Sequence, residues 1–280
     1  MILKLIEYGG KIPNVEVKDM NGVRVIFSEA FCLGCGNNGT RVYLGLGKDG
    51  YGKAVKRILR DEGINLAHKE NKILNELRAK ESKFVVNYHY LEEDNGTEYV
   101  YLILDLCEES LEDFVQSESN SLAYLQKSLP EILRHILKGL SDLHSGKNPI
   151  LHRDLKPFNV FRDAQGKFLI ADFGISRILK DGSKTRVSNA KKGTPHWIAP
   201  ESFCTDKNQN GKGRYKTESD VMTAGMVAFY VATKGDHPFK SEENILKGNP
   251  VCLDEIKDAT FKDLLSWMLY LKTGHLPTKS

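Results

Sequence analysis

The spacing of apolar residues changes near the middle of the chain, at about Cys107, and that change limits the fold more than any other feature. From residue 22 to about 56, short β-branched and aromatic runs ("VRVIF", "RVYLGL", "GKAVKRIL") alternate with glycine-rich turns, as antiparallel strands require. The stretch "INLAHKENKILNELRAKE" then places Leu66, Glu70, Ile73 and Leu77 at steps of four, three and four, one stripe of a helix. Two further runs, "KFVVNYHYLE" and "TEYVYLILDLC", return to strand character. After Cys107 the sequence reads helical: "SLEDFVQ", an amphipathic segment from about 128 to 144, and more helices toward the end. The expectation is an α+β, two-lobed fold, with a small β-rich N-lobe joined to a larger α-helical C-lobe around Asp105 to Cys107.

The chain's 280 residues, 40% of them hydrophobic, are enough for two cores. Its 40 basic and 37 acidic side chains leave a net charge of +3, too balanced for the broad basic footprint of a nucleic-acid binder. Five irregularly spaced cysteines do not make a disulfide framework and suit a reducing compartment. Cys32 and Cys35 form a C-x-x-C, but with no second cysteine or histidine pair to complete a zinc site it is read as neither a metal nor a redox centre. The N-terminal apolar run is short and interrupted by Lys4 and Glu7, unlike a signal peptide. "GMVAFYVA", from 225 to 232, falls short of the roughly 18 apolar residues of a membrane span and reads as a buried helix. The expected setting is cytoplasmic, or the cytosolic part if the chain is a fragment of a membrane receptor.

Several stretches carry chemistry. In "LGCGNNGT", Gly34, Gly36 and Gly39 lie between two strand-like runs, not before a helix, which argues against a dinucleotide-binding fold. Such a turn either closes a plain hairpin or lets backbone N–H groups approach phosphates. Glu70 falls on the apolar stripe of its helix, where an unpaired carboxylate would cost several kcal/mol. It needs an inward-facing cation, and Lys56, on the preceding strand-like run, is the obvious one. "LHRDLKPFNV" sets His152, Arg153 and Asp154 five positions before Asn159, and "ADFG" follows with Asp172, Phe173 and Gly174.

In this order the motifs resemble a protein kinase catalytic domain, from about residue 30 to the C-terminus. "GTPHWIAPE", residues 193 to 201, ends in A-P-E, and "SDVMTAG" resembles the start of the buried central helix of the large lobe, with Asp220 at its N-terminal end. Lys156 in "HRDLKP" is the serine/threonine-type residue. Within kinases, "GNNGTRVYLG", "AVKRIL", "LCEESLEDFV", "LHRDLKPFNV" and "GDHPF" are similar to the inositol-requiring stress-sensor kinase/endoribonucleases, relatives of ribonuclease L. The ribonuclease part of that family is not matched, so nuclease activity is not expected of these residues.

The resemblance implies an ATP- and Mg²⁺-dependent serine/threonine kinase acting on a protein substrate. Gly34, Gly36 and Gly39 would cover the phosphates, Lys56 steered by Glu70 would hold the non-transferring ones, and backbone groups from Asp105 to Cys107 would receive adenine. Asn159 and Asp172 would hold Mg²⁺, Asp154 would orient the acceptor hydroxyl, and Lys156 would sit near the γ-phosphoryl. It divides the chain into an N-lobe, 1–104, with an extension, 1–21; a hinge, 105–107; and a C-lobe, 108–280, with an activation segment, 172–201. Ser183, Thr185 and Ser188 are candidate autophosphorylation sites, the phosphate pairing with Arg153. A competing reading is a nucleotide-sensing homodimer that signals by conformation with little transfer. Two positions depart from the family pattern: Arg41 where an apolar residue is usual, and Leu276 in place of the arginine that pairs with the A-P-E glutamate, Glu201. The basic stretch "KNQNGKGRYK", 207–216, reads as a solvated insertion.

Overall fold

The computed structural model describes residues 16–36, 39–79, 81–93, 96–179, 185–188, 193–203 and 213–270. The chain divides into two compact units, one of Met1–Glu81 with Val86–Cys107, the other of Ser82–Val85 with Glu108–Ser280. The first is β-rich and the second mainly helical, the α+β division expected from the change in periodicity.

The first unit is an antiparallel sheet of β1 (Lys18–Met20), β2 (Val23–Val25), β3 (Cys32–Cys35), β4 (Arg41–Gly47), β5 (Gly52–Leu59), β6 (Tyr88–Glu93) and β7 (Tyr99–Asp105). Its order is β1-β2-β4-β5-β7-β6, with β3 also pairing β4. Lys18–Met20 falls within the stretch expected as an extension, yet it is a strand of this sheet. Alternating side chains bury one cluster of Met20, Val23, Val25, Tyr43, Val55, Tyr101 and Ile103, and another of Ile26, Phe31, Leu44 and Leu46. Gly45 is required by this packing, since a Cβ there would lie 2.8 Å from Val23 Cγ1 and 2.9 Å from Val55 Cγ2. The Arg57 guanidinium sits over the rings of Tyr99, Tyr43 and Phe27, at 4.4, 4.9 and 5.2 Å. Helix α1 (Arg60–Ala79) packs on β5, β6 and β7. Its buried stripe runs through Ala67, Glu70, Ile73, Leu74 and Leu77, while Leu66, placed on the stripe by the sequence reading, is 39% exposed. The other three positions of that reading are buried, and only the first shifts, from Leu66 to the small Ala67.

In the second unit, Ser110 caps α2 (Leu111–Gln116) by accepting from Asp113 N, and the Asp113 carboxylate accepts from Ser110 N in return. Helix α3 (Leu122–His144) buries Leu125, Leu129, Ile132, Leu133, Ile136, Leu140 and Leu143 at helical spacing. It begins earlier than its amphipathic signal suggested, because Ser121 caps it, and it runs on through Pro130. Short strands follow: β9 (Ile150–Leu151) pairs β12 (Arg177–Ile178), β10 (Val160–Arg162) sits between β11 (Phe168–Ile170) and β8 (Glu109–Ser110), and β13 (Thr185–Ser188) pairs β14 (Gly213–Lys216). The end of the basic stretch is therefore strand, not loop, and its residues 207–212 lie outside the described residues. Helix α4 (Thr217–Thr233) is buried from Met222 to Ala232, as the apolar run "GMVAFYVA" implied, and α5 (Glu242–Lys247) and α6 (Ala259–Tyr270) complete the unit. Among the described residues, no helix is long and apolar enough to cross a membrane.

The segment Ser82–Val85 precedes β6 in sequence but belongs to the second unit. Phe84 O accepts from Ile170 N at 2.9 Å, the Phe84 ring stacks on His135 at 5.3 Å, and Ser82 Oγ donates to Asp142 at 2.6 Å. Gly139 makes room for it, since a Cβ there would sit 2.8 Å from Phe84 O.

Candidate active site

Lys56 projects from β5, flanked in register by Val42 and Leu102. Its ammonium donates to both carboxylate oxygens of Glu70 at 2.9 Å. Glu70 is 3% exposed, so the Lys56 ammonium is held in a largely desolvated ion pair on the sheet. Removing either partner of such a pair strands a buried charge, at a cost of about 3–5 kcal/mol.

The glycine turn closes between β3 and β4, where Gly36 N donates to Thr40 O at 2.8 Å and Gly39 takes φ +71°. A Cβ at Gly34 or at Gly39 would meet no heavy atom within 4 Å. Packing within the protein does not demand glycine at Gly34, and the open space fits a ligand approaching the backbone there. Arg41, on the strand after the turn, ion-pairs with Glu29 at the surface.

Asp105, at the end of β7, holds a local cluster. Its carboxylate contacts His89 at 2.6 Å, Asn87 Nδ2 at 3.1 Å and Lys53 Nζ at 3.3 Å. The His89 hydrogen bond, helped by Asn87 and Lys53 against partial burial, holds its pKa down at about 2. The side chain is thus committed within the protein. Cys107, two residues on, is half-buried.

In the second unit, the loop from β9 to β10 hangs on Asp220, at the start of α4. Asp220 Oδ2 accepts from His152 N and Oδ1 from Arg153 N, both at 2.9 Å, and His144 Nε2 donates to Oδ2 at 2.9 Å. Burial opposes the charge on Asp220, but the hydrogen bond and charge of His144, with the Arg153 amide, hold its pKa below the ordinary carboxylate range. His152 donates from Nε2 to Ala171 O at 2.9 Å, and its ring meets Phe173 edge-on at 5.1 Å. Arg153 and Asp172 take φ of 74° and 60°, a left-handed conformation costing on the order of 1–3 kcal/mol, which the surrounding bonds must sustain.

These anchors place Asp154. Its Oδ1 accepts from Thr194 N at 2.9 Å and Thr194 Oγ1 at 2.7 Å; its Oδ2 accepts from Asn159 Nδ2 at 3.0 Å and Lys156 Nζ at 3.1 Å. Lys156 also donates to Thr194 Oγ1. Asn159, 5% exposed on a short 3-10 turn started by Pro157, donates again to Asp154 O, and its own carbonyl accepts from Ala171 N at 2.9 Å. That last bond sets Asp172, one residue on, beside Asn159 in the local chain path. Asn159 brings an amide and Asp172 a carboxylate, the hard oxygen donors that suit Mg²⁺. Among the described residues no group of three or more His, Cys, Asp or Glu side chains could hold a metal.

The sequence reading named Asp154, Lys156 and Asn159, which the structure gathers together, but gave Thr194 no role. The signal was available in the Gly-Thr pair ahead of A-P-E. His144, the partner of Asp220, carried no motif to reveal it. Thr185 and Ser188 lie on β13, opposite Lys216 and Gly213 of β14, while Ser183 lies outside the described residues. The Arg153 guanidinium lies 3.9 Å over the Tyr215 ring, a partner the sequence did not suggest, and its Nε and Nη2 are buried without a hydrogen-bond partner. Glu201 accepts from Ser219 Oγ at 2.7 Å; Leu276 lies outside the described residues.

The sequence profile of the protein kinase domain matches residues 27–273. The chain is 35% identical to the serine/threonine-protein kinase/endoribonuclease ireA of Aspergillus fumigatus, over 91% of this chain and 25% of that protein. It is 32% identical to the serine/threonine-protein kinase/endoribonuclease ire-1 of Caenorhabditis elegans, over 91% of this chain and 26% of the relative. A third relative, the serine/threonine-protein kinase/endoribonuclease IRE2 of Homo sapiens, is 32% identical over 88% and 27% respectively. The chain thus spans about a quarter of the length of the curated relatives it matches.

Proposed function

This chain belongs to the protein kinase family, and from that premise we propose that it transfers the γ-phosphoryl of Mg·ATP to a serine or threonine hydroxyl of a protein. The observation that carries the proposal is the Asp154 carboxylate, held on one oxygen by Thr194 and on the other by Asn159 and Lys156. Asp154 is the oxygen acceptor that orients the incoming hydroxyl, and Lys156 supplies positive charge beside it, where negative charge grows on the transferring group. Lys56, fixed by Glu70, holds the non-transferring phosphates, and the turn of Gly34, Gly36 and Gly39 covers them with backbone N–H groups. Asp172 and Asn159 would hold Mg²⁺, which would neutralise charge on the phosphates. Adenine is received by backbone groups from Asp105 to Cys107.

The relatives are named kinase/endoribonucleases; only the kinase activity is carried over, because the kinase domain profile accounts for residues 27–273. Arg153 supports a second element of the proposal, an activating phosphate on Thr185, Ser188 or Ser183. Its buried guanidinium nitrogens without partners would gain most from an anion. Incubation with radiolabelled ATP and Mg²⁺ tests both points. Wild type is expected to label itself, with phosphate mapped between 175 and 198, and Lys56→Ala and Asp172→Asn are expected to be silent. Labelling undiminished in Asp154→Asn would refute the role given to Asp154.

A further inference from the structure

Strand β3 begins and ends in cysteine. Residues three apart in a regular strand are separated by about 10 Å and point to opposite faces. Yet Cys32 Sγ and Cys35 Sγ lie 4.0 Å apart. The cause is a slip in the ladder: Cys32 faces Tyr43, while Gly34, two residues on, faces Val42, only one residue back on β4. This bulge turns the end of β3 so that both thiols come to one side. The two differ in setting. Cys32 packs against the cluster containing Val25 and Tyr101 and donates from Sγ to Gly34 O at 3.5 Å, whereas Cys35 is exposed.

We propose that Cys32 and Cys35 are an oxidisable dithiol, which hydrogen peroxide converts to an intramolecular disulfide beside the glycine turn. Exposed Cys35 attacks one peroxide oxygen, forming a sulfenic acid and breaking the O–O bond, with release of water. The Cys32 sulfur then attacks the Cys35 sulfur, the S–S bond forms, and the hydroxyl leaves with the Cys32 proton as a second water. The two thiols lose two electrons in all, and the peroxide gains them. Exposed Cys35 meets the peroxide first, while burial pushes the Cys32 thiol up and keeps it protonated until the sulfenic acid forms beside it. Closing from 4.0 Å to a bonded separation of about 2.05 Å needs backbone movement at Gly34, where a Cβ would meet nothing within 4 Å. The effect on nucleotide rests on the reading under Proposed function: tying Cys35 to half-buried Cys32 draws the end of β3 away from the position in which the turn covers the phosphates, so oxidised protein binds Mg·ATP about tenfold more weakly, the worth of about one lost hydrogen bond.

The test treats the reduced full chain with hydrogen peroxide, alkylates it, and maps peptides by mass spectrometry. The peptide carrying Cys32 and Cys35 is expected to be two hydrogens lighter, unalkylated and restored by dithiothreitol, with Cys107, Cys204 and Cys252 still alkylated. Cys32→Ser and Cys35→Ser must each abolish the lighter peptide, and Cys32→Ser should drive Cys35 on to sulfinic acid. Both thiols remaining alkylated, over-oxidised Cys35 beside alkylated Cys32 in wild type, or a lighter peptide surviving in either variant would each overturn the dithiol. Calorimetry with Mg·ATP then compares reduced and oxidised wild type with peroxide-treated Cys35→Ser. Equal affinity in all three overturns the effect on nucleotide, whereas no binding even to reduced protein refutes the kinase reading and leaves the thiol chemistry to the peptide map.

Discussion

Replacing Asp220 by asparagine should destabilise the second unit out of proportion to the loss of a single oxygen. The carboxylate accepts from His152 N, Arg153 N and His144 Nε2, each at 2.9 Å, at a site 2% exposed. An amide offers one acceptor oxygen. Its better orientation keeps that oxygen toward His152 and His144 and turns the NH₂ group on Arg153 N. A buried N–H left facing another donor costs about 1–3 kcal/mol, and exchanging a charged for a neutral acceptor at His144 adds about 1 kcal/mol. The sum is about 3 kcal/mol, a fall in Tm of about 6–12 °C for a unit of this size. The lost bond is also the one that sustains the left-handed φ of 74° at Arg153, immediately before Asp154, so transfer should fall with stability. Calorimetry and labelling assays on Asp220→Asn measure both. A variant melting within about a degree of wild type would show that this carboxylate does not carry the loop, and the account of how Asp154 is placed would be wrong.

Three further outcomes are expected. Thr194→Val removes the hydroxyl between Asp154 and Lys156 but keeps the Thr194 N bond to Asp154, so kcat should drop about tenfold, the worth of one hydrogen bond, with KM for ATP little changed; steady-state kinetics with unchanged kcat would refute it. Asp105 has a folded pKa lowered from 3.8 to about 2, so its contribution to stability is present above 3.8 and is lost as pH falls toward 2. The Tm gap between wild type and Asp105→Asn should therefore narrow through that window, and a gap constant with pH would contradict the cluster. Gly45→Ala forces a methyl to within 2.8 Å of Val23 and should cost about 1–3 kcal/mol in urea unfolding; a neutral result would mean that β2 and β5 can yield.

Much of this was legible in the residues because single positions were over-determined. Glu70 could not sit on a buried stripe without a cation, so its pairing with Lys56 followed before any geometry was known. The motif from His152 to Asn159 likewise announced a packed polar loop. The exact face of α1 was less readable, because Leu66 and Ala67 lie one helical step apart and hydrophobicity favours the wrong one. Nor could local pattern reveal bonds made across long stretches of chain: His144 to Asp220, Arg153 to Tyr215, and Thr194 to Asp154 each join residues far apart in sequence. The closeness of the two C-x-x-C thiols was not legible either. Spacing alone puts them on opposite faces, and only the slipped register of β3 on β4 brings them together.

The path of the chain has a practical consequence for anyone wishing to study the helical half alone. A fragment starting at Glu108 would lack Ser82–Val85, and with it the carbonyl that receives Ile170 N, the aromatic ring that covers His135 and the hydroxyl that binds Asp142. Because those four residues are threaded in from upstream, no single cut liberates an intact helical half; the missing tetrapeptide would have to be grafted back or its vacated groove refilled.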